Sequence, residues 1–598
     1  MIQPTHLILS FSMAAAGLLV WAGPASASAA NADAATEPAP AATRELPELI
    51  QRQLDQGSRR VTIPPGVYRV TPENGHHLRL ADLEDVEIVA EGVEMICTET
   101  TRAITIENCN NLTIRGLSID YDPLPFSQGR IVSISDDTLT HEIELFEDYP
   151  AADSVQANKY EIYDPQTREL RFGSYFGLSV QAVDERRVRM TIGSQYANVA
   201  DRPERVGDWV VMTSRQVTGP FIPHTIQADA CENLVLEDVT VYAFGFGFFE
   251  TNCSASVYRR CKVDRRALQD EIVPRQHARL RSLNIDGFHS KHARVGPRYL
   301  GCEARFMADD GIAINGHYHL VTHSDGDTLR VIAKRTDGFT IDQGETVEML
   351  GYDGQRRDNA TVVSVRRTHD ITPQEDAFLR KQPMDQRMQE HQDGMLTHGY
   401  EVVLDRPVDL EMGSVIGSRD RVGSGFQIID CVMEYNRSRG VIVKASDGEI
   451  RGNRFAGNWG EAILVSPNFW WLESGSSENL LIQDNTITDP IGIPIGVYAF
   501  SPRGEPLPPG ALRHITIRDN VIRDSPRPGI YVTSTTGLVL QGNTIEIDPG
   551  KQLAPSVIRH RKLKGKLNDV VLIETREADA EAGAETEAKT HPRPAAGS

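Results

Sequence analysis

No Cys-x-x-Cys pair occurs in the chain, and its seven cysteines (97, 109, 231, 253, 261, 302 and 431) are an odd number. The spacing therefore supports neither a zinc ribbon nor a complete disulfide framework, and at least one thiol is left unpaired. His-Glu-x-x-His, an EF-hand loop and the Gly-rich calcium nonapeptide are also missing, which argues against a metal centre. Positive charge is scarce: 62 Lys and Arg stand against 83 Asp and Glu, a net charge of −21. That balance opposes binding to nucleic acid or to an anionic membrane. Apart from one N-terminal segment, nothing approaches the ~20 apolar residues of a spanning helix. Tryptophan is rare, five in 598 residues, so a Trp pair in one place asks for a reason.

What is present is the composition of a large folded protein. It is 40% hydrophobic and 24% charged, with 48 Gly and 33 Pro, unlike a collagen, a disordered acidic polymer or a small disulfide scaffold. At ~100–200 residues per domain the length allows about three to five domains, unless a repeat fold absorbs much of it as one body. Ile8 to Gly23 is apolar and is followed by Ala25-Ser26-Ala27 and Ser28-Ala29-Ala30. This is short for a membrane anchor and reads as the signal peptide of a secreted or periplasmic protein, although no Lys or Arg precedes it. The Ala/Pro-rich stretch from Ala29 and the Ala/Glu-rich stretch from Glu577 to Ser598 read as tails outside the fold.

Between the tails a template recurs: apolar, any, apolar, two polar or small residues, then a key position. Its key residues are Val239, Cys261, Cys302, Cys431, Asn453, Asn485, Asn520 and Asn543. Intervals of 22 (239 to 261 and 431 to 453) and 23 (520 to 543) alternate with 32 and 35. A rung of that length with occasional longer loops is the pattern of a β-solenoid. Stacked Asn and Cys at an inward bend form ladders, so Cys261, Cys302 and Cys431 read as structural rather than reactive. Two gaps, Leu117 to Val239 and Cys302 to Cys431, exceed a hundred residues and contain short alternating strands such as Arg187–Ile192 and Ala360–Val365. Such strands describe small antiparallel barrels inserted into solenoid loops, where insertions tend to wall a binding site. The expected fold is all-β, a right-handed parallel β-helix with two inserted small antiparallel β-barrel modules. The expected order is a signal peptide (1–29), a linker (30–44), the first coils (45–122), one barrel (123–220), coils with the candidate acids (221–320), a second barrel (321–420), the C-terminal coils (421–575) and a disordered tail (576–598).

Each coil carries a second repeated segment, a residue before Gly or Ala and then apolar positions. The residues before the small one are Phe246, Asp286, Asp310, Arg439 and Glu461. With strands ~4.8 Å apart, Asp286 and Asp310 fall one coil apart on one seam, with Asp309 beside them. Crowded carboxylates push one pKa upward and leave one acid protonated beside one ionised, the division of labour used in glycoside hydrolysis. Any single Asp-Gly is more often a turn than a catalyst. Three acids on neighbouring coils, flanked by His289, His292 and His317 and followed by Arg439, favour the catalytic reading. Adjacent strand residues face opposite ways, so a kink is expected at 309–311 if Asp309 and Asp310 serve one pocket. Trp470-Trp471 and Glu473 lie in the loop that lengthens one rung. Trp faces suit the C–H face of a sugar and Glu473 its hydroxyls, while core packing is the alternative for the pair.

These residues resemble the bacterial α-1,3-galactosidases of glycoside hydrolase family 110. The resemblance rests on Ile285-Asp286-Gly287-Phe288-His289-Ser290, Ala308-Asp309-Asp310-Gly311-Ile312-Ala313-Ile314-Asn315-Gly316, Ser438-Arg439-Gly440-Val441-Ile442-Val443 and Trp471-Leu472-Glu473-Ser474-Gly475. It spans roughly residues 45 to 560. It implies an inverting exo-hydrolase of galactose-terminated glycans, blood-group B or linear Gal-α-1,3-Gal, with neither metal nor other cofactor. By this resemblance Asp286, Asp309 and Asp310 are the catalytic acids, with acid and base unassigned among them. His289, Asn315, Arg439, Glu461, Trp471 and Glu473 are the candidate substrate contacts. At Asn315-Gly316-His317 many family members instead have His before the Gly. The rival readings are a polygalacturonase-like hydrolase, for which Asn284-Ile285-Asp286 and Asp309-Asp310 fit but Gly-His-Gly and Arg-Ile-Lys are missing, and a non-catalytic glycan-binding β-helix. No nucleic-acid partner and no membrane span are expected.

Overall fold

Three-residue strands separated by turns bury their alternate side chains only if coil stacks on coil. In the computed structural model, which describes residues 43–577 except 173–174, 176–177, 195–201, 215–223, 335–337, 380–395, 470, 502–503 and 566, they stack in three parallel ladders. One runs through Val235–Glu237, Val257–Arg259, Arg298–Leu300, Gln427–Ile429, Glu449–Arg451 and Glu478–Gln483. After a sharp bend the second runs through Thr240–Val241, Lys262–Val263, Glu303–Arg305, Val432–Glu434, Arg454–Ala456 and Thr486–Thr488. The third, which carries the candidate site, includes Phe246–Thr251, Phe288–Lys291, Ile312–Asn315, Val441–Lys444, Ile463–Val465 and Ile495–Val497. One continuous apolar core fills the space between them. The expected parallel β-helix is therefore observed.

The bend explains the repeat. Asp238, Arg260, Gly301, Asp430, Gly452, Asp484, Asp519 and Gly542 all have φ between 50° and 70°, and each precedes a key residue of the template. Gly and Asp enter this left-handed region at least cost, which is why the position before the key residue is small or polar. The key residue then points inward and must satisfy backbone groups. Asn453 donates through Nδ2 to Asn485 Oδ1, Asn485 to Asn520 Oδ1 and Asn520 to Asn543 Oδ1, each at 2.9 Å. Where the key residue is Cys, sulfur takes the same part: Cys302 N–H donates to Cys431 Sγ at 3.3 Å. All seven cysteines are free and buried, and Cys231 and Cys253 form a second column that the repeat did not reveal.

At the N-terminal end the helix Glu45–Asp55 lays Leu46 and Ile50 over the first coil, covering strand edges that would otherwise be open. The first insertion is a seven-stranded antiparallel sheet between Phe126–Ile134 and Trp209–Ser214, with its own core around Ile143, Tyr160, Met190 and Met212. Its ladder does not close into the expected barrel among the described residues, because Leu170–Phe172 and Ser179–Ala182 stand at its two edges. The second insertion does close, as a six-stranded antiparallel barrel from Tyr318–Asp325 to Val415–Ser418 around Val331, Val347 and Val402. The expected signal peptide, almost all of the linker and nearly all of the tail lie outside the described residues. Among those described, no helix is long and apolar enough to cross a membrane.

Asn485 sits mid-ladder, accepting from Asn453 N and Nδ2 and donating to Ile450 O and Asn520 Oδ1. Asn485→Ala is expected to cost about 2–4 kcal/mol in urea unfolding, on the scale of ~1–3 kcal/mol for each stranded buried group. Asn543→Ala, at the half-exposed end of the ladder, should cost less.

Candidate active site

The site begins with a packing constraint on the third ladder. A Cβ on Gly247, Gly287, Gly311 or Gly440 would come within 2.8 Å of a carbonyl oxygen on the next coil, so only Gly, or Ala at position 462, fits there. The small residue faces the core and its predecessor faces out. Gly247 N–H donates to Asp286 O, Gly287 N–H to Asp310 O, Gly311 N–H to Arg439 O and Gly440 N–H to Glu461 O, at 2.9–3.1 Å. Phe246, Asp286, Asp310, Arg439 and Glu461 thus follow one another coil by coil, as the spacing predicted.

Asp309 and Asp310 lie in the bend before Ile312–Asn315, and there both can serve one side of the coil. One oxygen of each of Asp286, Asp309 and Asp310 lies within 4.8 Å of the others. Asp310 accepts from Arg439 N–H at 2.9 Å and from Arg439 Nη1 at 3.1 Å. Asp309 accepts from Lys159 Nζ at 2.8 Å and pairs with Arg437 Nη2 at 3.2 Å. The geometry would let the three acids gather a metal ion. Their charge, however, is already met by three cations of the chain itself, Lys159, Arg437 and Arg439, which a divalent ion would have to displace.

Asp286 Oδ2 lies 2.8 Å from His289 Nδ1, and His289 Nε2 lies 2.9 Å from Asn315 Oδ1. The Asn315 amide is oriented by donating its Nδ2–H to Gly316 O at 2.8 Å, so His289 Nε2 carries a proton. The Asp286–His289 contact then shares one further proton. An aromatic wall stands beside this pair: the Phe246 and Phe249 rings lie 5.6 and 5.5 Å from His289, and His224 stacks on Phe249 at 3.9 Å. Burial raises the Asp286 carboxyl to about 6, opposed by His289 and reinforced by the charges of Asp309 and Asp310. Burial works on Asp309 in the same sense, but Lys159 and Arg437 outweigh it and hold that carboxyl well below its ordinary value.

Glu461 continues the column. It lies 3.7 Å from Arg439 Nε, accepts from Tyr498 Oη–H at 2.8 Å and from Arg561 Nη2 at 2.9 Å. Its burial is outweighed by Arg561 and Arg439, which bring it down to about 2. Arg561 arrives on a C-terminal segment whose Leu553 and Leu563 pack on Ala313, Ile442, Leu464 and Tyr531, the outward face of the same ladder. Glu473 pairs at 3.0 Å with Lys444, itself in register with Asn315. Lys444, and then His289, outweigh its burial and hold it at about 2. Trp471 is 40% exposed, a solvent-facing ring rather than a core one, and Lys334 of the second barrel donates to its carbonyl. Trp470 lies outside the described residues. Of the flanking histidines, His289 is hydrogen-bonded to Asp286; His292 and His317 are buried with their rings 5.8 Å apart. Sequence reading missed Lys159, Arg437, Lys444, Tyr498 and Arg561. Arg437 could have been found two residues before Arg439, but nothing in the sequence around Lys159 ties it to the seam.

A family profile described as a right handed beta helix region matches residues 412–545. Alpha-1,3-galactosidase A of Bacteroides fragilis is 22% identical over 555 residues, 83% of this chain and 84% of the relative. Among solved structures, the mannuronan C-5 epimerase A-module of Azotobacter vinelandii aligns over 85% of this chain and 94% of its own, with a TM-score of 0.34 and 11% identity. The catalytic domain of a GH87 alpha-1,3-glucanase aligns over 88% of this chain and 66% of its own, with a TM-score of 0.35 and 10% identity.

Because the folded protein retains the Asp286 proton up to about 6, whereas an unfolded chain releases it near ~4, stability falls as pH rises between those values. Asp286→Asn removes that slope. Its Tm relative to wild type should therefore rise between pH 4 and pH 7, and a difference independent of pH would contradict the placement of this carboxyl.

Proposed function

We propose that this chain is a glycoside hydrolase that removes terminal α-1,3-linked galactose from glycans, blood-group B or linear, as an inverting exo-enzyme. The observation that carries the reading is the pairing of a carboxyl raised to about 6, Asp286, with the low-lying Asp309 and the Arg439-bound Asp310 within 4.8 Å. Asp286 is suited to donate a proton to the departing glycosidic oxygen, with His289 to resupply it. Asp309 and Asp310 are suited to draw a proton from the attacking water and to balance the positive charge that develops on the sugar ring.

The galactose assignment draws on the 22% identical Bacteroides fragilis relative and on the motifs around the three acids. His289, Asn315, Arg439, Glu461, Trp471 and Glu473 would contact the sugar, with the Trp471 face against its C–H surface. The Arg561 segment packed across the outward face supports attack at a chain end rather than along a groove. A polygalacturonase-like reading is less favoured, because Lys159, Arg437, Arg439 and Lys444 are each matched with a carboxylate and are not held ready for a uronate. A non-catalytic binding module would have no need of a raised acid, Asp286, beside a lowered one, Asp309. Secretion or periplasmic residence is part of the proposal and rests on Ile8 to Ala30 alone.

One feature bears on stereochemistry. The acid oxygens approach within 4.8 Å, whereas inverting enzymes usually hold theirs ~6.5–9.5 Å apart to admit water. Asp286 stacks one coil from Asp309 and Asp310, which are neighbours in the chain, and the resulting approach departs from the separation expected of an inverting pair, lying nearer the ~5–5.5 Å of retaining enzymes. Proton NMR of fresh product therefore tests the family expectation directly: β-galactose first supports inversion, and α-galactose first rejects it.

Release of galactose is expected from p-nitrophenyl α-galactoside and Gal-α-1,3-Gal, and no cleavage of polygalacturonate. Asp286→Asn, Asp309→Asn and Asp310→Asn should each lower kcat about a hundredfold or more with the fold retained. Near-wild-type turnover in all three would remove the site assignment. Since Asp286 acts protonated, kcat/KM should fall as pH rises through about 6, and Asp286→Asn should abolish that limb.

A further inference from the structure

The strand Val155–Tyr163 belongs to the first inserted sheet, yet it sends Lys159 and Glu161 from the same face of the strand toward the acid cluster. The Lys159 ammonium has three protons and three acceptors: Asn284 O at 2.7 Å, Ala308 O at 2.9 Å and Asp309 Oδ2 at 2.8 Å. Asn284 lies two residues before Asp286, and Ala308 immediately before Asp309. A single side chain therefore bridges the two coils that carry the acids. Glu161, fully buried, pairs with the equally buried Arg281 at 3.2 Å and faces Arg437 at 3.8 Å, and Arg437 Nε donates in turn to Ala308 O. The sheet is seated against the same stretch by Gln128, which donates to Ala278 O and accepts from Leu280 N–H, and by Tyr149, which donates to His277 O.

We propose that Lys159 is a positioning residue of the active site, clamping the Asp286 coil to the Asp309–Asp310 coil and fixing the Asp309 carboxylate, so that the first insertion is part of the catalytic centre and not an appended binding module. Two features distinguish this from ordinary domain docking. The ammonium spends two of its three hydrogen bonds on backbone carbonyls next to the acids, which sets the spacing of the coils. Its third goes to the carboxylate itself, so the insertion supplies charge as well as shape. The groups facing Asp309 are Lys159, Arg437 and Arg439 on the cationic side, with Asp286 and Asp310 beside it and Glu161 behind Lys159 and Arg437. Removing Lys159 leaves Asp309 with two arginines, of which Arg439 is engaged with Asp310.

The catalytic half of this inference rests on the proposed hydrolase activity, but the electrostatic half does not, and the test separates them. Full-length protein labelled with [13Cγ]aspartate is titrated by NMR, the Asp309 signal being assigned by its loss in Asp309→Asn. In wild type Asp309 should titrate well below an ordinary carboxylate. In Lys159→Met its midpoint should move up by ~1 pH unit or more, the effect of losing an adjacent opposite charge, and Lys159→Arg should restore part of the difference. On whichever glycoside the protein cleaves, the acid limb of kcat/KM should move up with that midpoint in Lys159→Met while KM on the plateau stays within about twofold. A wild-type Asp309 midpoint at the ordinary carboxylate value overturns the proposal without any variant. So does an unmoved midpoint in folded Lys159→Met, even if that variant loses thermal stability. Failure of wild type to cleave any α-galactoside would count against the proposed function and leave the titration to decide the clamp.

Discussion

The hydrogen bond from each small residue's N–H to the carbonyl of the column residue one coil ahead is the contact on which the site depends. It holds Gly247, Gly287, Gly311 and Gly440 so close to the next coil that a Cβ would collide with it. In doing so it turns Asp286, Asp310, Arg439 and Glu461 outward at intervals of one strand spacing, ~4.8 Å. The order acid, acid, cation, acid along this column is a consequence of register, and register in a parallel stack is set by the whole core rather than by any one turn. The apolar partners of the same strands, Phe288, Ile312, Ile314, Val441 and Val443, lie fully buried inside. The core that stabilises the solenoid and the seam that carries its chemistry are therefore two faces of the same short strands.

Stacked carboxylates repel, and the structure relieves that repulsion unequally. Asp309 receives two cations and Asp310 a third, whereas Asp286 receives a neutral-or-charged histidine and an aromatic wall. Unequal partnering is what drives the proton affinities of Asp286 and Asp309 apart, the first upward and the second downward, although they are crowded into one place. The outer members of the site are held in ionic networks of their own, Glu461 with Arg439 and Arg561, Glu473 with Lys444. These contacts cost conformational freedom and desolvation, and they fix charged side chains in defined positions along the seam that carries the three acids.

The additions to the solenoid converge on this seam. The first insertion reaches Asp309 through Lys159, the second reaches the Trp471 loop through Lys334, and the C-terminal segment reaches Glu461 through Arg561. Three segments far apart in sequence thus each deliver one cation to one neighbourhood.

The sequence by itself determined the coil, its bend and its column. The Asp or Gly before each rung expresses a local rule of backbone conformation, while the Asn and Cys rungs and the small residue after Asp286, Asp310, Arg439 and Glu461 express contacts with the next coil that recur at every rung, and so all become visible as a period. It also marked the two insertions, as interruptions of that period, though it did not distinguish the first sheet, whose ladder does not close among the described residues, from the closed second barrel, because closure depends on how edge strands meet in space. Only the tertiary structure decided which cation faces which acid. Lys159 stands 150 positions from Asp309, Arg437 129 from Ala308 and Arg561 100 from Glu461, and no periodic pattern relates them. Their pairing is fixed by how the insertions and the C-terminal segment pack on the finished solenoid, a long-range result that carries no local signature in the chain.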